Sequence, residues 1–268
     1  MTIRPPFALV SLIAVVSGCV TAAHHGVSLL LIALNLAAWL AGLGAAFLRP
    51  KATTAPWMAA IATALLAATL ISPGLEGVHR WIKLGLNLNV AALLLPLTLA
   101  ALASLAARSP LRLIMPALIA LILAAQPDAS QAAAFAAGAV IIVVASKHSV
   151  AARATTVLGL LTAAVITAFR PDPLAPVPEV EGIITLAAQS SVLLATTAVF
   201  ALAGIVILLA KQAQRSGPPA LALAAYFAIS AAAPLFGAYP VPLVGIGISP
   251  ILGLWLGVSW MLRARDLE

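Results

Sequence analysis

This 268-residue chain carries only fourteen Lys and Arg and seven Asp and Glu, so each charged side chain is worth locating. Three acids share the segment RPDPLAPVPEVEG at residues 170–182: Asp172, Glu179 and Glu181. A carboxylate held beside a hydroxyl acts as a general base. The same acids suit the N-terminus of the helix that the following apolar run predicts, and spacing alone does not choose between the two. The segment PGLEGVHRWIKLG at residues 73–85 supplies Arg80 and Lys83 beside Trp81. Guanidinium and ammonium groups match phosphate oxygens. They also snorkel from a membrane surface where Trp anchors, and both readings stand. QPDASQ places Asp128 at a turn, where its carboxylate accepts local backbone hydrogen bonds. Asn35, Gln189 and Ser190 are the main polar residues within apolar runs, and they suit hydrogen bonds between helices. The single cysteine, Cys19, excludes an internal disulfide, and no Cys/His cluster has zinc spacing.

These residues must be positioned by a very apolar chain. Apolar residues make up 63% of it and charged residues 8%, with a mean hydropathy of +1.16. Such a balance excludes a soluble enzyme, a disordered chain and a nucleic-acid-binding domain. Ala and Leu dominate, aromatics are 5%, and period-two alternation is not evident, which excludes an outer-membrane barrel. An all-α polytopic membrane protein follows, a single transmembrane domain over 1–268 with short loops. About ten spans are predicted, at roughly 7–23, 27–48, 56–72, 87–107, 112–126, 131–146, 153–169, 183–208, 219–237 and 243–262.

With both termini cytoplasmic, Arg4, Arg49, Lys51, Arg108, Arg112, Lys147, Arg153, Lys211, Arg215, Arg263 and Arg265 fall inside. Only Arg80, Lys83 and Arg170 fall outside. This bias fixes an even span count and the orientation. It also puts Trp57 and Trp260 near cytoplasmic span ends. Glu76, Asp128, Asp172, Glu179 and Glu181 are outside, while Asp266 and Glu268 are inside. Function is therefore expected in the outer loops. No charge lies deep in a span, which argues against an ion-coupled transporter. The last outer segment, PLFGAYPVPLVGIGISP from residue 234, is irregular backbone at membrane depth and implies an outward-facing cavity. Val16-Ser17-Gly18-Cys19 has the form of a lipoprotein lipobox; its other reading is a small-residue packing face within span one.

Four outer segments, in order, resemble the SEDS family of shape, elongation, division and sporulation proteins, which have ten spans and cytoplasmic termini. Gly77, Arg80, Trp81, Ile82, Leu84 and Gly85 follow the family's G-x-x-R-W-I-x-L-G. Gln126, Pro127 and Asp128 follow Q-P-D-x-G-T, with departures at Ser130 and Gln131. Pro178 and Glu179 match the P-E that ends the large outer loop, and Glu181 takes the place of the acid before the span. Pro234, Leu235, Gly237, Pro240, Pro242, Gly247 and Ser249 track the last outer loop. Residues 90–93 and Pro96 stand where the family has Q-P-S-E and a Lys. Gln189 and Ser190 replace a Glu-Glu pair, and the family's loop Asp is Glu at best.

The resemblance implies polymerisation of the undecaprenyl-linked peptidoglycan precursor, lipid II, at the outer face of a bacterial cytoplasmic membrane. A class B penicillin-binding protein is the implied partner and membrane lipid the surrounding medium. Glu181 is the implied base, with Glu179 or Asp172 as substitutes. Arg80, Lys83, Trp81, Asp128, Gln189 and Ser249 are the implied substrate-binding set. A divalent cation, Mg or Mn, is an implied cofactor. The departures keep two alternatives in play: an inactive SEDS-like scaffold of an envelope assembly, and a transporter of lipid-linked substrate.

Overall fold

A computed structural model describes residues 3–48 and 51–264. Arg49, Arg265, Asp266 and Glu268, used above to orient the chain, lie outside the described residues. Within them the chain forms eleven α-helices and one β-hairpin. The helices are α1 Arg4–His24, α2 Leu29–Ala45, α3 Ala55–Thr69, α4 Val90–Ser104, α5 Leu111–Ala125 and α6 Ala129–Val144. They continue with α7 Val150–Ala168, α8 Ile183–Ser190, α9 Val192–Ser216, α10 Pro218–Ala232 and α11 Ile248–Ala264. Each predicted span coincides with a helix, and span eight with two. Helices α1, α7 and α9, and α10 with its short 3₁₀ extension to Leu235, are long and apolar enough to cross a membrane.

Two local departures from the sequence reading matter. The predicted outer loop at 73–85 runs into an antiparallel hairpin, β1 Trp81–Leu84 with β2 Leu86–Asn89, pairing Trp81 with Asn89 and Leu84 with Leu86. Leu86-Asn87-Leu88-Asn89 does alternate at period two, contrary to the expectation that no stretch does. Each strand is only four residues long, too short to stand out from the apolar background. The hairpin also delays α4 to Val90, where the Asn89 side chain accepts the Ala92 N–H at 2.9 Å. Predicted span eight is broken at Ser191, whose backbone is extended (φ −166°, ψ 126°). The Ser190 hydroxyl donates back to the Leu186 carbonyl at 3.2 Å, the kind of bond by which serine competes with a helix.

The centre of the bundle is α4, buried at almost every position from Val90 to Ala103. It is enclosed by α3, α6, α10 and α11. Pro96 has no N–H to bond the Ala92 carbonyl one turn back. Gly253 of α11 lies against that carbonyl; a Cβ there would sit 2.1 Å from the Ala92 oxygen. The far end of α4 is capped by buried Arg112, which donates to the Ala103 and Leu105 carbonyls at 2.6 and 2.5 Å. Beside α4, Trp255 of α11 packs edge-on to Phe7 (4.8 Å between centroids) and to Trp39 (6.1 Å). Trp57 is exposed, as an interfacial Trp would be, whereas Trp260 is buried and donates to the Ser104 hydroxyl at 3.2 Å. Trp260 is therefore part of the core rather than an interfacial anchor. Cys19 is buried in continuous helix, and Gly18 meets the Val244 backbone. The lipobox-like residues thus form a packing face.

Candidate functional site

Arg80 is 9% exposed and sits at the foot of the hairpin. Its Nη2 donates to Asp172 Oδ2 at 2.7 Å and also to the Pro127 carbonyl. Its Nε lies 3.7 Å from Asp128 Oδ2. The guanidinium stands 5.9 Å from the Trp81 ring centroid, within cation–π range. Asp128 N-caps α6 through the Gln131 N–H at 3.3 Å and accepts from the Ser130 hydroxyl at 3.2 Å. From there, Gln131 Oε1 accepts the Tyr226 hydroxyl at 2.6 Å. One cation thus holds together the hairpin, the α5–α6 turn and the outer loop before α8. Two carboxylates face this guanidinium, and Arg170, which donates to the Ala124 carbonyl at the same α5–α6 turn, brings a second cation to it.

Glu181 occupies a different environment. Its Oε2 accepts the Val177 N–H at 2.7 Å, folding residues 177–181 into a compact turn ahead of α8. Burial raises its pKa above the ordinary carboxylate range. The bonds from backbone N–H groups oppose that shift, while nearby Asp172 adds to it and Arg80 subtracts. Glu181 is also the charged residue lining an apolar groove of about 550 Å³. The walls are Ile184 and Thr185 of α8, Val199, Leu202, Ala203, Val206 and Ile207 of α9, and Ala228, Ala231 and Ala232 of α10. Pro234, Leu235 and Val241 complete the lining. The groove leads from a carboxylate down between two helices, and its dimensions suit part of an aliphatic chain.

The irregular last outer segment forms one wall of this groove, where an outward-facing cavity was expected. Val241 donates its N–H to the Val180 carbonyl at 3.1 Å, and Ile246 donates to the Glu179 carbonyl at 2.9 Å. The loop bearing Glu181 is therefore laced to residues 241–246. Those residues are fixed in turn by Asn35 of α2, which donates to the Gly245 carbonyl at 3.2 Å and accepts the Gly247 N–H at 3.1 Å. Asn35 was expected to bond between helices. It instead clamps loop backbone at membrane depth, which is how irregular backbone is satisfied there.

Of the residues singled out in the sequence, Arg80, Trp81, Asp128 and Asp172 come together, with Glu181 within electrostatic reach. Glu179 is half-buried, two residues before groove-lining Glu181. Lys83 is exposed on the hairpin, Gln189 is exposed near the end of α8, and Ser249 is buried at the start of α11. Tyr226 and Thr185 had no distinguishing signal in the sequence. Nor did His25, whose sequence position reads as an interfacial loop; its Nε2 lies 3.1 Å from Ser190 Oγ and 3.2 Å from the Leu186 carbonyl, tying α8 to α1. Among the described residues no group of three or more metal-ligating side chains assembles. Asp128 and Asp172 are committed to Arg80, and Glu181 to Val177. This donor set does not make a divalent-cation site.

The chain thus folds as an all-helical polytopic bundle with a charged cluster beside an apolar groove. The solved structure it resembles is that of the Thermus thermophilus rod shape determining protein RodA. The match covers 97% of this chain and 95% of that one, with a TM-score of 0.70 and 18% sequence identity. At that identity the likeness establishes the fold. No protein-family model and no curated protein sequence match the chain.

Proposed function

We propose that this chain is a SEDS-like protein of cell-wall synthesis, polymerising lipid II at the outer face of the bacterial cytoplasmic membrane. One observation carries this reading: a half-buried carboxylate, Glu181, stands at the mouth of an apolar groove between α9 and α10. The groove would take part of the polyprenyl chain and leave the diphosphate-sugar beside Glu181. Desolvation makes Glu181 a stronger base than an ordinary carboxylate. It would accept the proton of the attacking sugar hydroxyl as that oxygen bonds to the anomeric carbon. The anomeric carbon–oxygen bond to the diphosphate breaks as the new bond forms, and undecaprenyl diphosphate leaves with that electron pair. Lys83, exposed on the hairpin, is the cation that would meet the diphosphate. Arg80 holds Asp172 and serves to position the outer loop. No step runs through a divalent cation. A class B penicillin-binding protein would cross-link the product.

The scaffold reading draws on a single feature, the commitment of buried Arg80 to Asp172 and Asp128, which withholds that cation from an anionic substrate. Polymerisation of labelled lipid II by the purified chain separates the two. We expect Glu181→Gln to lose about 100-fold or more of the rate, the lower end of a general base's contribution, while Glu179→Gln stays near wild type. Folded protein that never extends a chain, with or without a transpeptidase partner, would leave the scaffold.

A further inference from the structure

A second groove lies at the opposite end of the bundle. It is about 520 Å³ and almost wholly apolar, between the end of α6 and the corner where α9 meets α10. Val140, Val144, Ala213, Gly217, Pro218 and Leu221 line it. Basic groups gather beside it. Arg153 Nη1 donates to the carbonyl of groove-lining Val144 at 2.9 Å, and its Nε is buried without a hydrogen-bond partner among the described residues. Lys147 follows α6 by three residues. Its backbone N–H donates to the Ala107 carbonyl at 2.8 Å, which brings Arg108 alongside. The His148 ring bonds the Ser109 carbonyl at 3.0 Å on the same seam. The side chains of Arg108 and Lys147 are exposed. Among the described residues, the five acids all lie in other segments, at 76, 128, 172, 179 and 181.

We propose that this corner is a binding site for an anionic phospholipid. One acyl chain lies in the groove, and the phosphate meets Arg108, Lys147 and Arg153. The positive bias of this end accounts for the number of cations, but not for their gathering around a slot of acyl-chain width. The groove would hold an aliphatic chain of any lipid; the three cations select the negative headgroup. Backbone N–H groups contribute little, because Pro218 and Pro219 at the groove's corner have none.

Native mass spectrometry of the full chain, titrated with phosphatidylglycerol or phosphatidylethanolamine of matched chains, tests this. We expect preferential retention of phosphatidylglycerol. In R108Q/K147Q the phosphatidylglycerol affinity should fall by about fivefold for each cation removed, with phosphatidylethanolamine unaffected. Leu221→Trp, at a position already 44% exposed, should fill the slot and weaken both lipids. These three substitutions spare Arg153, whose bond to α6 serves the fold. Equal retention of the two lipids, or an unchanged preference in R108Q/K147Q, would overturn the proposal. So would displacement of phosphatidylglycerol by soluble glycerophosphate, which has no chain, or full binding by Leu221→Trp.

Discussion

Gly18→Ala puts one methyl group where there is no room. A Cβ at this position in α1 would lie 1.8 Å from the Val244 carbonyl oxygen, 2.7 Å from its carbon and 3.0 Å from its Cα. All three atoms are backbone, so no rotamer change relieves the overlap; one segment must move by more than an ångström. The loop has little freedom to do so. Leu243 is already in the left-handed region at φ +65°, Gly245 is bonded to Asn35, and Val241 is bonded to Val180. Overpacking of this kind costs about 1–3 kcal/mol, towards the upper end when backbone is displaced. Gly44→Ala in α2 and Gly159→Ala in α7 are the controls, because a Cβ at either meets nothing within 4 Å. Relieving glycine's entropy in a helix interior should stabilise each by roughly 0.5–1 kcal/mol. Cys19 supplies the assay. It is the single cysteine and is 5% exposed, so a thiol-reactive fluorophore reports unfolding on heating. Gly18→Ala should melt well below wild type, and Gly44→Ala at or above it. Because the displaced loop is laced to Val180, lipid II polymerisation should fall as well. A Gly18→Ala protein that melts with the Gly44→Ala control would refute this account of the α1–loop contact.

Three further outcomes can be measured. Glu181 is raised in the folded state, so the folded chain binds its proton more tightly than the unfolded chain. Stability should then fall as pH rises from the ordinary carboxylate value through the raised one, and Glu181→Gln should flatten that fall in Cys19-reported melting. The pH–rate profile should show an acid limb above the ordinary carboxylate range. Arg80→Gln strips the buried Asp128 carboxylate of its ion partner and should cost about 3–5 kcal/mol. Asp172→Asn, on a side chain that is one-third exposed, should cost no more than about 1 kcal/mol; equal losses in melting would contradict the asymmetry. Asn35→Leu abandons the buried Gly245 carbonyl and the half-buried Gly247 N–H and should cost at least about 1–3 kcal/mol, whereas unchanged melting would mean that the clamp is idle.

Hydropathy makes the ten long helices legible, because each is a run of apolar residues ended by Pro, Gly or charge. The break at Ser191 is not legible, because apolar composition continues through it on both sides. Residue types in the outer loops identified Arg80, Asp128, Asp172 and Glu181 as worth attention, and the structure places all four at one end. Their pairing was out of reach: Arg80 and Asp172 are 92 residues apart, joined by packing that no local pattern encodes. Trp260 illustrates the same limit, since apolar composition marks a span without showing which face meets lipid and which meets protein. The Glu181 groove depends on the Val180–Val241 lacing, a backbone contact that leaves no trace in side-chain type.

The enclosure of α4 has a consequence for biogenesis. Two of the four helices around it, α10 and α11, come six and seven helices after it in the chain. Until they are made, the faces of α4 that α10 and α11 cover, and the Ala92 carbonyl freed by Pro96, stay open. The interior around α4 can therefore close only after α10 and α11 have been synthesised. A ribosome that stops short of α11 releases a chain with its axle in place and its final wall missing, a species for membrane quality control to recognise.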